Sequence, residues 1–237
     1  MTYLIMGMAA IFGVGGLLAF MRFLYFEPFG LVNFNLDKSG IMFVDASLCL
    51  VFFIQHSGMI RRPVQAFLTR IVPGGCVKAV FAIFSGIFLY AMLLLWQASP
   101  DHILVAGGVL RFVLRTVFFI GLFIFFWGIQ SMGFYDPTGI RDAIEHMQGK
   151  TPVKGSVVSK GPYVFVRHPL YLAMLLLIWS NPVITADRLL FNILWTVWIV
   201  VAANLEERDL TAEYGDAYQE YKKKVSMLAP SLRRHPH

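Results

Sequence analysis

Val117-Phe118-Phe119-Ile120-Gly121-Leu122-Phe123-Ile124-Phe125-Phe126-Trp127-Gly128-Ile129 carries no charged side chain. It is the middle of a longer apolar segment, Ile103 to Phe134. A helix needs about 20 apolar residues to cross the hydrocarbon core of a bilayer. This segment exceeds that, so it spans with tilt or projects beyond the membrane. Toward the N-terminus, three more runs reach spanning length: Tyr3 to Tyr25, Gly40 to Ile60 and Cys76 to Trp96. The first of these starts with no basic region and no small-residue cleavage site, so it is expected to be a retained helix. Toward the C-terminus, Tyr135 to His168 is polar, and Pro169 to Leu205 is apolar again. That last run is interrupted by Ser180-Asn181-Pro182 and by Asp187-Arg188, which predicts a helical hairpin turning at the far surface. From Glu206 the chain is polar, with an amphipathic helix expected through Tyr214, Tyr218 and Tyr221.

Composition agrees with this reading. Of 237 residues, 57% are hydrophobic, 22 are Phe and only 14% are charged, against about 25% charged in soluble domains. The expected fold is all-α: a polytopic membrane bundle of five to six transmembrane helices, with the C-terminal hairpin and a cytoplasmic pocket. Residues 1–134 would supply four helices on the acceptor side, and residues 135–237 the loop, hairpin and tail that form a cofactor site. The net charge of +6 does not point to nucleic acid, because the basic residues flank hydrophobic runs. Arg61, Arg62, Arg70 and Lys78 fall in one loop. Arg141, Lys150, Lys154, Lys160 and Arg167 fall in another, and Lys222 to Lys224 with Arg233 and Arg234 in the tail. The loops Glu27 to Ser39 and Gln97 to His102 hold one lysine between them. Basic loops face the cytoplasm, so both termini and the pocket are expected there, in a bacterial inner membrane. Cys49 and Cys76 are the only cysteines and have no metal-ligand spacing, so neither a disulfide framework nor a metal is expected. No oligomeric preference is read from the chain.

The chemistry-bearing stretch runs from Gly161-Pro162-Tyr163 through Arg167-His168-Pro169-Leu170-Tyr171 to Glu206-Glu207, and ends in Tyr214-Gly215-Asp216-Ala217-Tyr218-Gln219-Glu220-Tyr221. Pro169 suits the first turn of a helix, since its missing N–H would be unpaired there. The set places aromatics, a histidine, an arginine and two carboxylates at one membrane surface. Such a group suits a zwitterion with an additional positive charge. Carboxylates meet an ammonium or ribose hydroxyls, helix N-terminal N–H groups meet a carboxylate, and aromatic faces meet a base or a sulfonium. Taken one at a time, Arg167 and the glutamates read equally well as markers of the membrane border.

The ordered block Gly-x-Tyr-x-x-x-Arg-His-Pro-x-Tyr, then Glu-Glu, then Tyr-Gly-x-x-Tyr-x-x-Tyr resembles the isoprenylcysteine carboxyl methyltransferase family and its bacterial relatives. The match covers about Gln148 to Pro230. It implies a multi-spanning methyltransferase that binds S-adenosylmethionine at the cytosolic face. It implies cofactor contacts from Gln148, from Gly155, Ser156, Val157 and Val158, from Tyr163, from His168, Pro169, Leu170 and Tyr171, and from Glu206 and Glu207. Arg167 would order the loop. Where the prenylcysteine enzymes carry a substrate-associated arginine one turn before the glutamates, this chain has Ala202. A carboxylate acceptor thereby loses an expected partner. Gln55-His56 at the end of the second run, Trp96, and Asp136-Pro137-Thr138-Gly139-Ile140-Arg141 resemble the bacterial thiol methyltransferases that act on methanethiol.

Methyl transfer from a sulfonium is an in-line displacement that relies on positioning. A thiol reacts as thiolate, so a base helps, and His56 is the candidate base, oriented by Gln55 or Asp45. The plainer readings are an interfacial histidine beside two arginines, and a structural partner for Asp45, since an intramembrane acid is normally paired or functional. The expected function is S-methylation of a small thiol such as methanethiol to dimethyl sulfide. Three alternatives stand beside it. One is methylation of an isoprenylcysteine carboxylate or a phospholipid or other lipid. The others are an NADPH-dependent membrane reductase, whose family shares an Arg-His-Pro-x-Tyr block, and a non-catalytic heme or transport accessory. The expected partners are a small-molecule or lipid acceptor and the bilayer.

Overall fold

The computed structural model describes residues 1–133, 136–150 and 157–229. In chain order the elements are α1 (Thr2–Tyr25), α2 (Lys38–Ile60), the short α3 (Arg62–Ile71), α4 (Val77–Leu95), strand β1 (His102–Val105), α5 (Gly108–Met132), the short α6 (Ile140–Met147), α7 (Pro169–Trp179), strand β2 (Val183–Thr185), α8 (Ala186–Tyr214) and α9 (Asp216–Lys224). Among the described residues α1, α2, α4, α5 and α8 are long and apolar enough to cross a membrane. The protein is thus an integral membrane protein of polytopic helical type. At ~1.5 Å per residue, the 11 residues of α7 do not span alone, and they form the first arm of the expected hairpin.

Two boundaries differ from the sequence reading, and each has a local cause. The fourth span starts at Gly108 rather than Ile103. Residues His102–Val105 form a strand that pairs with β2, as suits the β-branched Ile103 and Val105, and Gly108 adopts φ 50° to open the helix. The tail helix is two helices, because Gly215 adopts φ 55° between α8 and α9. Helices α3 and α6, both short and amphipathic, lie in segments expected to be loops.

The chain divides into two compact units that do not follow chain order. The first holds Met1–Ile103, Asp136–Val153 and Ile184–Leu194. The second holds Leu104–Tyr135, Lys154–Val183 and Trp195–His237. Helix α8 begins in one and ends in the other.

In the first unit, α1 and α4 approach backbone to backbone. A Cβ on Gly86 would lie 2.1 Å from the Phe12 carbonyl oxygen, so only glycine permits the contact. Small residues at membrane helix interfaces allow this close van der Waals packing. Beyond α4 the chain is fastened by buried polar side chains. Asp187 accepts from Trp96 Nε1 at 2.8 Å and from the Ser99 N–H at 3.0 Å. Asp45 accepts from the Gln97 N–H at 2.9 Å. Arg188 donates to the carbonyls of Phe23 and Phe26, with its guanidinium 4.4 Å from the Phe23 ring. In the second unit, α5 packs on α7 through Gly121 and Gly128, which face Leu177 and Leu170.

Candidate active site

In the second unit a turn of 3-10 helix, Gly161–Val164, is seated against α5. Gly161 has φ 59°, and a Cβ there would meet Ser131 Oγ at 2.0 Å. This seating carries Tyr163 and then Arg167-His168 to the start of α7. The backbone of that stretch is tied to the tail: the Arg167 N–H donates to Ser226 O at 2.8 Å and the His168 N–H to Met227 O at 3.1 Å.

Glu207 is the hub. Its side chain is 8% exposed. Arg167 grips it with both prongs, Nε at 2.8 Å and Nη2 at 3.0 Å. His168 Nε2 lies at 2.8 Å, the Tyr218 hydroxyl donates at 2.8 Å and Lys222 Nζ stands at 3.2 Å. An ionised carboxylate only accepts, so His168 carries a proton on Nε2. Arg167 Nη1 also donates to the carbonyls of Lys222 and Val225. The three helical segments α7, α8 and α9 are thus joined through one buried charge. A fork-to-fork Arg–carboxylate pair is the strongest geometry for such a joint.

Glu206 differs from its neighbour. Its side chain is 42% exposed, with Oε2 3.8 Å from His168 Nδ1, and it lines a cavity of about 310 Å³. That volume is at the lower end of small-molecule pockets, ~300–1,000 Å³. Of the residues expected at a cofactor, Val157, Val158, Tyr163 and His168 line the cavity, as do Pro169, Leu170, Tyr171 and Glu206. Glu207 stands behind the wall as its support. Gly155 and Ser156 lie outside the described residues. Gln148 ends α6 with its N–H bonded to the Ile144 and Glu145 carbonyls, in the first unit. The sequence reading left out Met132, Leu210 and the wall made by Tyr214, Tyr218 and Tyr221. Tyr218 and Tyr221 lie one turn apart on α9, whereas Tyr214 ends α8 ahead of Gly215, so helical spacing by itself does not join the three. Arg167 also reaches the lining, beyond its ordering role.

Five tyrosines therefore surround one half-exposed carboxylate. The Tyr221 hydroxyl donates to Tyr163 O at 2.6 Å, and burial pushes its pKa up to about 12. Tyr218 is raised too, first by burial and then by its bond to Glu207. Both stay protonated donors at neutral pH, and their ring faces remain electron-rich. Such a wall favours a cation.

The expected acceptor-side residues lie in the first unit. His56 Nδ1 is 3.2 Å from Ser85 Oγ, and its ring sits 5.3 Å from Phe52 and 4.9 Å from Phe81. Gln55 Nε2 contacts Met59 Sδ. Asp45 precedes His56 by three helical turns, roughly 16 Å along α2, so it does not orient the imidazole. Its partner is the Gln97 backbone. Ser85 Oγ, one helix away on α4, is a partner of His56 Nδ1.

A sequence profile of the phospholipid methyltransferases matches residues 109–217, from α5 to the start of α9. The chain is 32% identical over 196 residues to a methanethiol S-methyltransferase of Pseudomonas deceptionensis, covering 82% of this chain and 75% of that one. It is 34% identical over 190 residues to methanethiol S-methyltransferase 2 of Bradyrhizobium diazoefficiens, covering 80% and 73%. With the methanethiol S-methyltransferase of Mycobacterium tuberculosis it shares 32% identity over 193 residues, covering 81% and 79%. No solved structure matches the chain. Fold and comparisons together define a membrane-embedded methyltransferase. The chain belongs to the family of the methanethiol S-methyltransferases.

Proposed function

We propose that the cavity of the second unit binds S-adenosylmethionine at the cytoplasmic face, and that the protein S-methylates a small thiol such as methanethiol, giving dimethyl sulfide. The observation that carries the donor is the tyrosine-walled cavity with Glu206 as its half-exposed carboxylate. The donor set fits the cofactor. Tyrosine faces and Glu206 suit its cationic centres, while Leu170 and Tyr171, in the first turn of α7, hold N–H groups suited to its carboxylate. When bound, S-adenosylmethionine supplies an electrophilic methyl group. The protein's part is to orient and to exclude water. The Glu207 hub holds α7 against α8 and α9, and the apolar lining from Met132, Val157 and Leu210 keeps the reacting centre dry. His56 of the first unit, with Nδ1 near Ser85 Oγ, is the proposed base for the thiol proton. No metal is called for.

The acceptor rests on the activity of the relatives and on Ala202. That residue sits one turn before Glu206 with only a methyl side chain, so it brings no cation to an acceptor carboxylate. Calorimetry on the purified protein is expected to show S-adenosylmethionine binding and no NADPH binding; the reverse would sink the donor reading. With labelled donor, methanethiol is expected to turn over in preference to a prenylcysteine analogue or phosphatidylethanolamine. Turnover of either of those alone would reassign the acceptor and leave the donor site standing. Replacing His56 with Ala should lower kcat about 100-fold or more, with cofactor affinity unchanged.

A further inference from the structure

Helix α3 plays no part in the methyl-transfer reading. It follows α2 after a single extended residue, Arg61 (φ −67°, ψ 139°), so the chain turns where a membrane span ends. Val64, Phe67, Leu68 and Ile71 recur at i, i+3, i+4 and i+7, which places them on one stripe. Leu68 is buried against the first unit, where α3 touches α2 and α4, whereas Phe67 and Ile71 are 59% and 60% exposed. The remaining surface carries Arg62, Gln65, Thr69 and Arg70, with Arg61 just ahead, and the helix contains no acidic residue. Among the described residues no carboxylate forms an ion pair with Arg61, Arg62 or Arg70.

We infer that α3 lies in the plane of the membrane interface and forms a binding surface for anionic phospholipid headgroups. Phe67 and Ile71 enter the acyl boundary, as the apolar face of an interfacial helix does. The guanidinium groups of Arg61, Arg62 and Arg70 then meet phosphate oxygens, which their planar forks match in two-point fashion. The occupant is a lipid because the exposed apolar stripe and the arginines belong to one short helix continuous with a span. A soluble anion would use the charges and leave Phe67 and Ile71 in water. This surface is independent of the cofactor reading.

The test uses the full chain in phosphatidylcholine bilayers containing spin-labelled phosphatidylglycerol or spin-labelled phosphatidylcholine. Electron paramagnetic resonance reads the fraction of each lipid held at the protein surface. Averaged over all lipid contacts, the protein is expected to prefer phosphatidylglycerol about threefold at low salt, and less in 1 M salt, where the Debye length is about 3 Å. A combined Arg61→Gln, Arg62→Gln, Arg70→Gln variant should lose most of that preference, while the corresponding lysine variant should keep most of it. Lys222, Lys223 and Lys224 are present in every variant, so their contribution is constant. A preference that survives the glutamine substitutions, or no preference in the unmodified protein, overturns the inference. Loss of a self-association equilibrium in the glutamine variant without any lipid preference would assign the surface to a second copy of the chain instead.

Discussion

Two adjacent glutamates do different work. Successive residues on a helix point ~100° apart, so Glu206 and Glu207 cannot share a face. Glu207 turns into Arg167, His168 and Tyr218, while Glu206 turns to the cavity. The pair was legible in the sequence as a motif, but its division was not, since that depends on side chains 11 to 40 positions away. Replacing Glu207 with Gln should destabilise the protein by ~3 kcal/mol, because Arg167 would be left buried without its counter-charge. Thermal unfolding in detergent reads this. Glu206→Gln should leave the melting temperature unchanged and weaken S-adenosylmethionine binding about tenfold, the loss of roughly one charge-assisted contact. Equal effects of the two substitutions on stability would contradict the division. His56 and Asp45 give the same lesson: both stood out as polar residues in an apolar helix, yet only the structure pairs one with Ser85 and the other with Gln97.

Among the elements, α6 shows how a motif hides a helix start. Asp136-Pro137-Thr138-Gly139 appeared in the sequence only as part of a family-like stretch. In the structure Asp136 accepts from the Thr138 N–H and hydroxyl and from the Asp142 N–H, at 3.1, 2.9 and 3.0 Å. It thereby satisfies donors in the first turn of α6. Gly139 takes φ 68° and lies so close to α4 that a Cβ would sit 2.1 Å from the Ala79 nitrogen. Burial on its own would raise the pKa of Asp136, but the donors from Asp142, Thr138 and Arg141 outweigh it and hold the carboxyl below its usual 3.8. A carboxyl depressed in the folded state stabilises above its unfolded value, and that contribution is lost as pH falls through the folded value. Asp136→Asn should therefore cost ~1 kcal/mol at pH 7. The difference from the unmodified protein should shrink in unfolding scans below about pH 4. A difference constant from pH 7 to pH 3 would contradict this. Helix α3 escaped the sequence reading for a related reason: ten residues with two arginines and a third just ahead look like a loop until their apolar positions are laid on a helical period.

For the whole molecule, orientation rests on where lysine and arginine accumulate. Both native cysteines are buried, so an impermeant thiol reagent reports only an introduced one. Ser39→Cys, exposed in the first turn of α2, should label in intact spheroplasts. Thr69→Cys, exposed on α3, should label only after permeabilisation. The opposite pattern would invert the topology and move the proposed pocket off the cytoplasmic face. The sequence alone determined the membrane class, the spans and the family-bearing motif. Apolar runs, flanking charges and residue spacing are local quantities, and a bilayer imposes its length on each helix separately. The tertiary structure alone decided that the chain folds as two units that interrupt one another along the sequence. It alone showed that Asp187 meets Trp96 across 91 positions, and that one glutamate supports the cavity which its neighbour lines. Those outcomes follow from which distant side chains satisfy each buried charge, a choice made only when the helices pack.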